Sequence, residues 1–477
     1  MTVLLLTSAV AIGYLMMRLA NPADELRPRW AAFLLESALG AGFGIALISM
    51  LFFVLLVIHA GSARAVLTAE AVLLFSSAGF SLVRGKKKTA DKPVPQATVL
   101  WWHWLLGGVL VAGLLIMAAA MADFARSNPY GTWDAWALWN LRAKYLAGQG
   151  DMWMRASSPL LNYSSHPDYP LLLSGFIGQV WKISGGETTS QAPMLTAAVF
   201  AASVVTLLVS ALALLRSMSS ALLAGLVLVA TSSFLSLPMW QDADVPLSFY
   251  YLATLVLVLV STGAEGRRKP RLAIMAGVFA SFAAWTKNEG LVFLVLSLLC
   301  YQLVSRLRRD VGVTLPPWRY LAFGAAPGLL VVGYFKAFLA PASDLLKQSS
   351  GSVLHKIVEF DRYWLILKQL VAKSWELGDW WTHPVLLLAI LAIALGFRAN
   401  EPQKQALAFG WLLLTFLFLS YCAVYVITPV DLRFQLSTTL GRLYAQIWPS
   451  FLFLVFLILA RPEDLFRIRG NDSRSSI

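Results

Sequence analysis

Apolar runs of membrane-crossing length, broken by short polar stretches, make up most of this chain. A helix needs about 20 apolar residues to span a bilayer's hydrocarbon core. Runs of that order lie near 2–18, 33–58, 64–83, 99–123, 192–215, 220–238, 245–262, 271–285, 289–305, 319–340, 383–397, 405–427 and 443–460. The pattern predicts an all-α polytopic membrane protein with about thirteen transmembrane helices. A transmembrane barrel would instead show alternating segments of about ten residues, and the runs do not alternate.

Composition narrows the picture by exclusion. Of 477 residues, 58% are hydrophobic and 13% charged, about half the charge of a soluble domain, so soluble, disordered, collagen-like and coiled-coil classes fall away. The net charge of +13 would suit nucleic acid only if it formed a basic face. It is instead scattered over connections: Arg27 and Arg29; Arg84 with Lys86, Lys87 and Lys88; Arg267, Arg268, Lys269 and Arg271; Arg306, Arg308 and Arg309; Arg398 and Lys404; Arg461, Arg467 and Arg469. Counted through the expected spans, all fall on one side, which the positive-inside rule makes cytoplasmic, with the N-terminus outside and the C-terminus inside. About 23 Lys and Arg against 9 acids then lie inside, and about 15 against 14 outside. No nucleic-acid partner is expected; membrane lipids are. The first apolar run lacks a basic stretch before it, so it reads as a retained span rather than a signal peptide. Cys300 and Cys422 lie in apolar runs and read as small buried residues.

Two segments on the expected external side are too long for simple connections, about 122–191 and 341–381. The second mixes Leu354, Ile357, Val358, Trp364, Leu365 and Leu367 with charges, which suits a helix lying in the membrane interface. In the first, Trp133, Trp136 and Trp139 at three-residue steps would share part of a helix face resting on lipid, with Asp134 pointing elsewhere. The domain expectation is three N-terminal helices and a solvated linker (Lys86 to Gln96) within 1–98, a catalytic region over 99–460, and a cytoplasmic tail over 461–477.

Four polar clusters interrupt this apolar background. They are Gly131 to Asn140, followed by Arg142, Lys144 and the turn Ser165 to Pro170; Trp240 to Pro246; Trp285 to Gly290; and Asp431, Gln435, Arg442 and Gln446, whose spacing of four, seven and four makes one helical stripe. All four fall at the external face, although only the basic loops set the sides. Ionisable groups gathered there indicate a cleft lined by carboxylates, a lysine and arginines above an apolar bundle, fit for a substrate with an anionic head and a long hydrocarbon tail. Plainer readings exist: an interfacial Trp belt, Asp242 and Asp244 capping a helix start, Lys287 and Glu289 on a solvated turn. His166 and Asp168 have no third ligand at metal spacing. No cofactor is called for, and a divalent metal is left open. Glu36 and Glu70 sit in early spans and read as structural or interfacial.

The order of these motifs (Trp133-Asp134-Ala135-Trp136, His166 to Pro170, Asp242-Ala-Asp-Val-Pro246, Thr286-Lys-Asn-Glu-Gly290, and the late helix with Arg442) resembles bacterial GT-C class glycosyltransferases, notably the protein mannosyltransferase and aminoarabinose transferase group. The likeness covers roughly residues 99 to 460. It implies a GT-C-like fold and transfer of a sugar from a polyprenyl-phosphate donor to a glycan, lipid or protein acceptor at the outer face of the cytoplasmic membrane. It also implies an acidic base in the first large external loop, where Asp134 stands. Where that subgroup carries Trp-His in the late helix, this chain has Phe434-Gln435.

The chemistry leads the same way. A lipid phosphate leaves readily when its charge is held by cations, and one carboxylate must accept the proton of the attacking hydroxyl. Single displacement with one base inverts the anomeric centre. Asp134 is therefore the expected base and Lys287 and Arg442 the expected phosphate ligands. The substrate-binding candidates are His166, Asp168, Tyr169, Asp242, Asp244, Glu289, Asp431 and Gln446. No phosphate-binding glycine loop of the GxxxxGK[ST] type occurs. The alternatives are a membrane transporter or lipid-linked glycan flippase, for which paired halves and interrupted helices are expected but not seen in the sequence, and a non-catalytic envelope scaffold.

Overall fold

The computed structural model describes residues 1–23, 26–84, 100–161, 165–307, 315–375, 377, 383–398 and 403–464. The expected linker Lys86 to Gln96, the basic residues Lys86 to Lys88, Arg308, Arg309, Arg467 and Arg469, and most of the expected tail lie outside these residues. The described residues are helical, with no strand and one isolated bridge between Phe397 and Leu459.

The helices follow the apolar runs. They are α1 (Thr2–Ala20), α2 (Arg29–Val57), α3 (Ala63–Arg84), α4 (Trp101–Ser127), α5 (Leu141–Ala147), α6 (Leu172–Ile183), α7 (Gln191–Leu215), α8 (Met218–Val229), α9 (Ser232–Trp240), α10 (Asp244–Thr262), α11 (Arg268–Thr286), α12 (Asn288–Leu307), α13 (Trp318–Phe338), α14 (Ser350–Val358), α15 (Phe360–Trp375), α16 (Pro384–Leu395), α17 (Lys404–Ile427) and α18 (Leu432–Ile458). Among the described residues ten are long and apolar enough to cross a membrane, and α8 with α9 makes an eleventh if that pair, bent by 62°, is one span. The protein is a polytopic all-α membrane protein.

The difference from thirteen has local causes. Helix α11 carries Arg268, Lys269 and Arg271 in its first turn, which lowers its hydropathy, and α16 has only 12 residues. The α8–α9 bend is also an interruption that the sequence did not reveal. It falls at Thr231, whose hydroxyl donates to the Val227 carbonyl and accepts from Trp448 Nε1 at 3.0 Å.

Helix α10 is the axis of the bundle: every residue from Asp244 to Thr262 is buried, against α7, α11 and α18. Its neighbours close up on small residues, as helices do where lipid gives no hydrophobic drive to associate. A Cβ on Gly277 of α11 would lie 2.0 Å from the Leu321 carbonyl oxygen of α13, and one on Gly324 of α13 would lie 1.9 Å from that of Ile274. The first helices are part of the same packing. Ser49 accepts from Trp285 Nε1 at 3.1 Å, Tyr250 donates to the Gly42 carbonyl at 2.9 Å, and Gln179 of α6 donates to Glu70 of α3 at 2.8 Å. Glu70 thus has a structural partner.

Alternation of the helices puts the start of α10, the end of α11, the start of α12, the end of α13 and the start of α18 at one end of the bundle. At the other end Arg216 donates to the carbonyls of Leu459 and Arg398, and Arg268 to that of Pro22. The 341–381 segment forms α14 and α15. Phe360, Trp364, Leu367, Val371 and Trp375 make an exposed apolar stripe along α15, while Ile366 packs with Tyr425 and Leu436. That division suits a helix lying on a lipid surface.

Candidate active site

Two backbone turns bring distant carboxylates together. Gly131 takes φ 77°, and a Cβ there would lie 2.4 Å from the Trp240 carbonyl oxygen. That same oxygen accepts from the Thr132 amide at 3.3 Å. Gln241, left-handed at φ 61°, ends α9, so Asp242 leads directly into α10. Segment 131–134 is thereby stitched against segment 240–244. After Asp134 the chain runs through a π-helical stretch, Ala135–Asn140, a form that recurs at functional sites.

Asp244, fully buried in the first turn of α10, is the hub. Its Oδ1 accepts from Lys287 Nζ at 2.9 Å and from Gln446 Nε2 at 2.5 Å, and its Oδ2 accepts from Arg442 Nε at 2.8 Å. Arg442 also pairs with Asp134 Oδ2, and its Nη2 lies 3.6 Å from Asp242 Oδ2. Lys287 pairs with Glu289 at 3.1 Å. One network thus joins Asp134, Asp242, Asp244, Lys287, Glu289, Arg442 and Gln446, drawn from four stretches of chain. No side chain caps α10, so Asp242 and Asp244 are not simple caps. Lys287 is 4% exposed, which removes the solvated-turn reading for it. Burial alone would lower the Lys287 ammonium, but Asp244 and Glu289 outweigh it and hold it above its ordinary value.

A second group adjoins the first. His166, in the left-handed region at φ 39°, begins the turn closed by Tyr169 N donating to His166 O at 2.9 Å. Its ring stacks on Tyr169 at 4.7 Å, Tyr169 stacks on Trp139 at 6.0 Å, and Lys287 Nζ lies 5.9 Å from the Tyr169 ring centre. Asp168 Oδ2 accepts from Asn288 Nδ2 at 2.7 Å. Burial lowers the His166 imidazole, against the pull of Asp168, and raises the Tyr169 phenol well above its ordinary value.

Several participants have no role in the sequence reading, Arg142 being placed in the first polar cluster but Lys336 and Tyr421 not singled out at all. Lys336, near the end of α13, donates to Asn288 Oδ1 and to the Asp168 carbonyl, each at 2.5 Å, and so ties the 165–170 turn to the start of α12. Its only sequence signal is a lone cation near a span end. Arg142, fully buried, donates to the Ala156 carbonyl at 2.8 Å and to that of Pro167 at 3.4 Å, bracing the same turn from below; burial pulls it down to about 9 against Asp168. Tyr421 donates to Gln446 Oε1 at 2.7 Å and meets Tyr251 at 3.2 Å. Buried tyrosines in apolar spans carry no signal of such a role.

Two expectations need correction. Asp431 does not join the network. Helix α18 begins at Leu432, and Asp431 is its exposed N-cap, accepting from the Phe434 amide at 2.8 Å. It lies eleven residues, about 16 Å of helix, before Arg442. Gln435 has no described link to the network, and its Oε1 is buried without a partner among the described residues. The three tryptophans do not share a lipid-facing surface either. Trp133 and Trp136 are exposed and touch edge to face, but Trp139 is buried under Tyr169, because each π-helical residue turns less about the axis than an α-helical one. Neither cysteine is in a disulfide. Among the described residues no three His, Cys, Asp or Glu side chains are grouped to hold a metal ion.

Two cations held beside carboxylates at the tip of a buried helix can attract an anion, and a carboxylate there can accept a proton. Residues 154–338 match the family model for dolichyl-phosphate-mannose-protein mannosyltransferase. That is a GT-C family domain, in agreement with the resemblance drawn from the motifs. The matched stretch contains His166, Asp168, Tyr169, Asp242, Asp244, Lys287 and Glu289, while Asp134, Arg442 and Gln446 lie outside it. No curated protein and no solved structure matches the chain. The mannosyltransferase match and the helical bundle together support a glycosyltransferase in a multi-pass membrane protein.

Proposed function

We propose that this protein transfers a sugar from a polyprenyl-phosphate carrier to a glycan, lipid or protein acceptor at the extracytoplasmic face of the cytoplasmic membrane, with inversion at the anomeric carbon. The observation that carries the reading is the union of Asp134, Lys287 and Arg442 in one hydrogen-bonded network around Asp244. The family description, which names a dolichyl-phosphate sugar donor, supports the donor class.

In this reading Lys287 and Arg442 face the carrier phosphate. As the sugar–phosphate bond breaks, a second negative charge gathers on the leaving phosphate, and fixed cations in a site shielded from water stabilise it most. Asp134, held through Oδ2 by Arg442 and about a quarter exposed, presents Oδ1 to the acceptor hydroxyl and takes its proton as the new glycosidic bond forms. His166, Asp168 and Tyr169 lie where they can orient sugar or acceptor hydroxyls. The outer-face assignment rests on the positive-inside reading of the basic connections; it is supported by Arg268 and Arg398, which stand at the opposite end of the helices from the site.

A transport reading would draw on the bent pair α8–α9. A transporter's interrupted helices come in related pairs, and the described residues hold one bent pair only. The test is a reconstituted assay with a prenyl-phosphate sugar and Asp134→Asn. Loss of transfer with unaltered folding is expected; retained transfer rejects Asp134 as the base.

A further inference from the structure

Arg442 is faced by three carboxyls, those of Asp134, Asp242 and Asp244, and Lys287 is shared between Asp244 and Glu289. Four carboxyls therefore meet two cations. If all were ionised, this largely buried group would carry two surplus negative charges beside the place where an anionic carrier is to bind. Like charges crowded at one site resist joint ionisation, and a proton on one member relieves them.

The contacts single out that member. Asp244 accepts three hydrogen bonds, two of them from cations. Asp134 is a quarter exposed and paired with Arg442; Glu289 is a fifth exposed and, although its Oε2 is also buried without a donor among the described residues, its Oε1 is paired with Lys287 at 3.1 Å. Asp242 is 3% exposed, approaches Arg442 only at 3.6 Å, and has an Oδ1 that is buried without a donor among the described residues. An ionised oxygen left so costs far more than a neutral one. The groups facing Asp242 are Asp134 ahead of the π-helical stretch, Asp244 of α10, Arg442 of α18 and Lys287 between α11 and α12. Burial, with Asp244 and Asp134 adding to it, outweighs the two cations and pushes the Asp242 carboxyl up to about 7.

We propose that Asp242 holds the proton of this network and that its neutrality halves the surplus negative charge around Arg442, so that an anionic lipid head group can approach it. Asp242 is then a positioning residue acting through Arg442. The inference rests on the donor reading above, in which Arg442 faces the carrier phosphate. A carboxyl titrating near 7 is about nine-tenths protonated at pH 6 and about 3% protonated at pH 8.5. Over that range a further full negative charge falls on Arg442, and its hold on phosphate weakens.

The experiment uses the full chain in phosphatidylcholine nanodiscs and a farnesyl methyl phosphodiester, whose single charge is constant over this range. Its Kd for the wild-type protein should weaken roughly tenfold from pH 6 to pH 8.5, as the appearance of nearly one negative charge at a buried site implies. In Asp242→Asn the dependence should fall below about twofold, because the neutral amide cannot ionise. Infrared difference spectra should show a protonated-carboxyl stretch at pH 6 that disappears by pH 8.5 and is missing from the variant. The wild-type pH series stands alone should the variant fail to fold. A diester that binds with no carboxyl band at pH 6, or a variant with the wild-type pH slope, overturns the inference alone. A band that titrates while the diester binds at no pH overturns it through the donor reading itself.

Discussion

Lys287 and Asp244, one in the turn between α11 and α12 and the other at the start of α10, are paired at 2.9 Å with both side chains almost inaccessible to solvent. Removing one partner of a buried pair strands the other charge, at a cost of about 3–5 kcal/mol. Asp244→Ala strands Arg442 in part as well as Lys287, so it should fail to yield stable protein. The double variant Asp244→Ala with Lys287→Met should recover folding without transfer. Thermal melting in detergent, followed by size exclusion, checks both. A stable Asp244→Ala protein would mean that water reaches this pair.

Arg442 reaches Asp134 through Nη1 and Asp244 through Nε and Nη2, and the same Nη2 lies 3.6 Å from Asp242. A lysine offers one compact ammonium and cannot hold this fork. Arg442→Lys should therefore lower kcat/KM by about 10²–10³-fold, the usual loss for one preorganised donor to developing charge. Steady-state kinetics with varied donor measures this. A loss under tenfold would show that charge alone suffices at this position.

Asp431 caps α18 and has no described contact with the network. Asp431→Ala should cost about 1 kcal/mol of stability, as loss of an N-cap does, and leave the donor KM within about twofold. A larger change in KM would return Asp431 to the binding surface.

Gly290 opens α12 three residues after Lys287, and a Cβ there would sit 1.8 Å from the Ala283 carbonyl oxygen of α11. Backbone oxygen cannot yield as a flexible side chain can, so Gly290→Ala must spread the two helices and shift Lys287. Stability and transfer should fall together, whereas Gly351→Ala, with open space around its Cβ, should change neither. Parallel melting and transfer assays decide this.

Asp242 also couples stability to pH. Its folded carboxyl, at about 7, lies above the ordinary Asp value of 3.8. Its contribution is complete below that ordinary value and is lost as pH rises through about 7. The wild-type melting temperature should therefore be lower at pH 8.5 than at pH 5.5, and Asp242→Asn should narrow the gap. An equal gap in both proteins would assign the effect to another group.

Much of this protein is written in its local sequence. Apolar runs such as 245–262 have the length of a bilayer core and become helices wherever they are packed, because hydrocarbon leaves the backbone no partner but itself. The polar clusters stood out because a membrane chain has little other use for Asp244 or Lys287 at a span end. Sequence could not say that the π-helical stretch buries Trp139, that α8 and α9 bend at Thr231, or that Asp431 is the N-cap of its own helix. Nor could it find Lys336 and Tyr421, or the brace that Arg142 supplies, because these roles depend on which carbonyls and amides lie opposite. Helix formation is decided by neighbours a few residues away. The sharing of Arg442 among three carboxyls is decided by helices hundreds of residues apart, and packing alone fixes which of them meet.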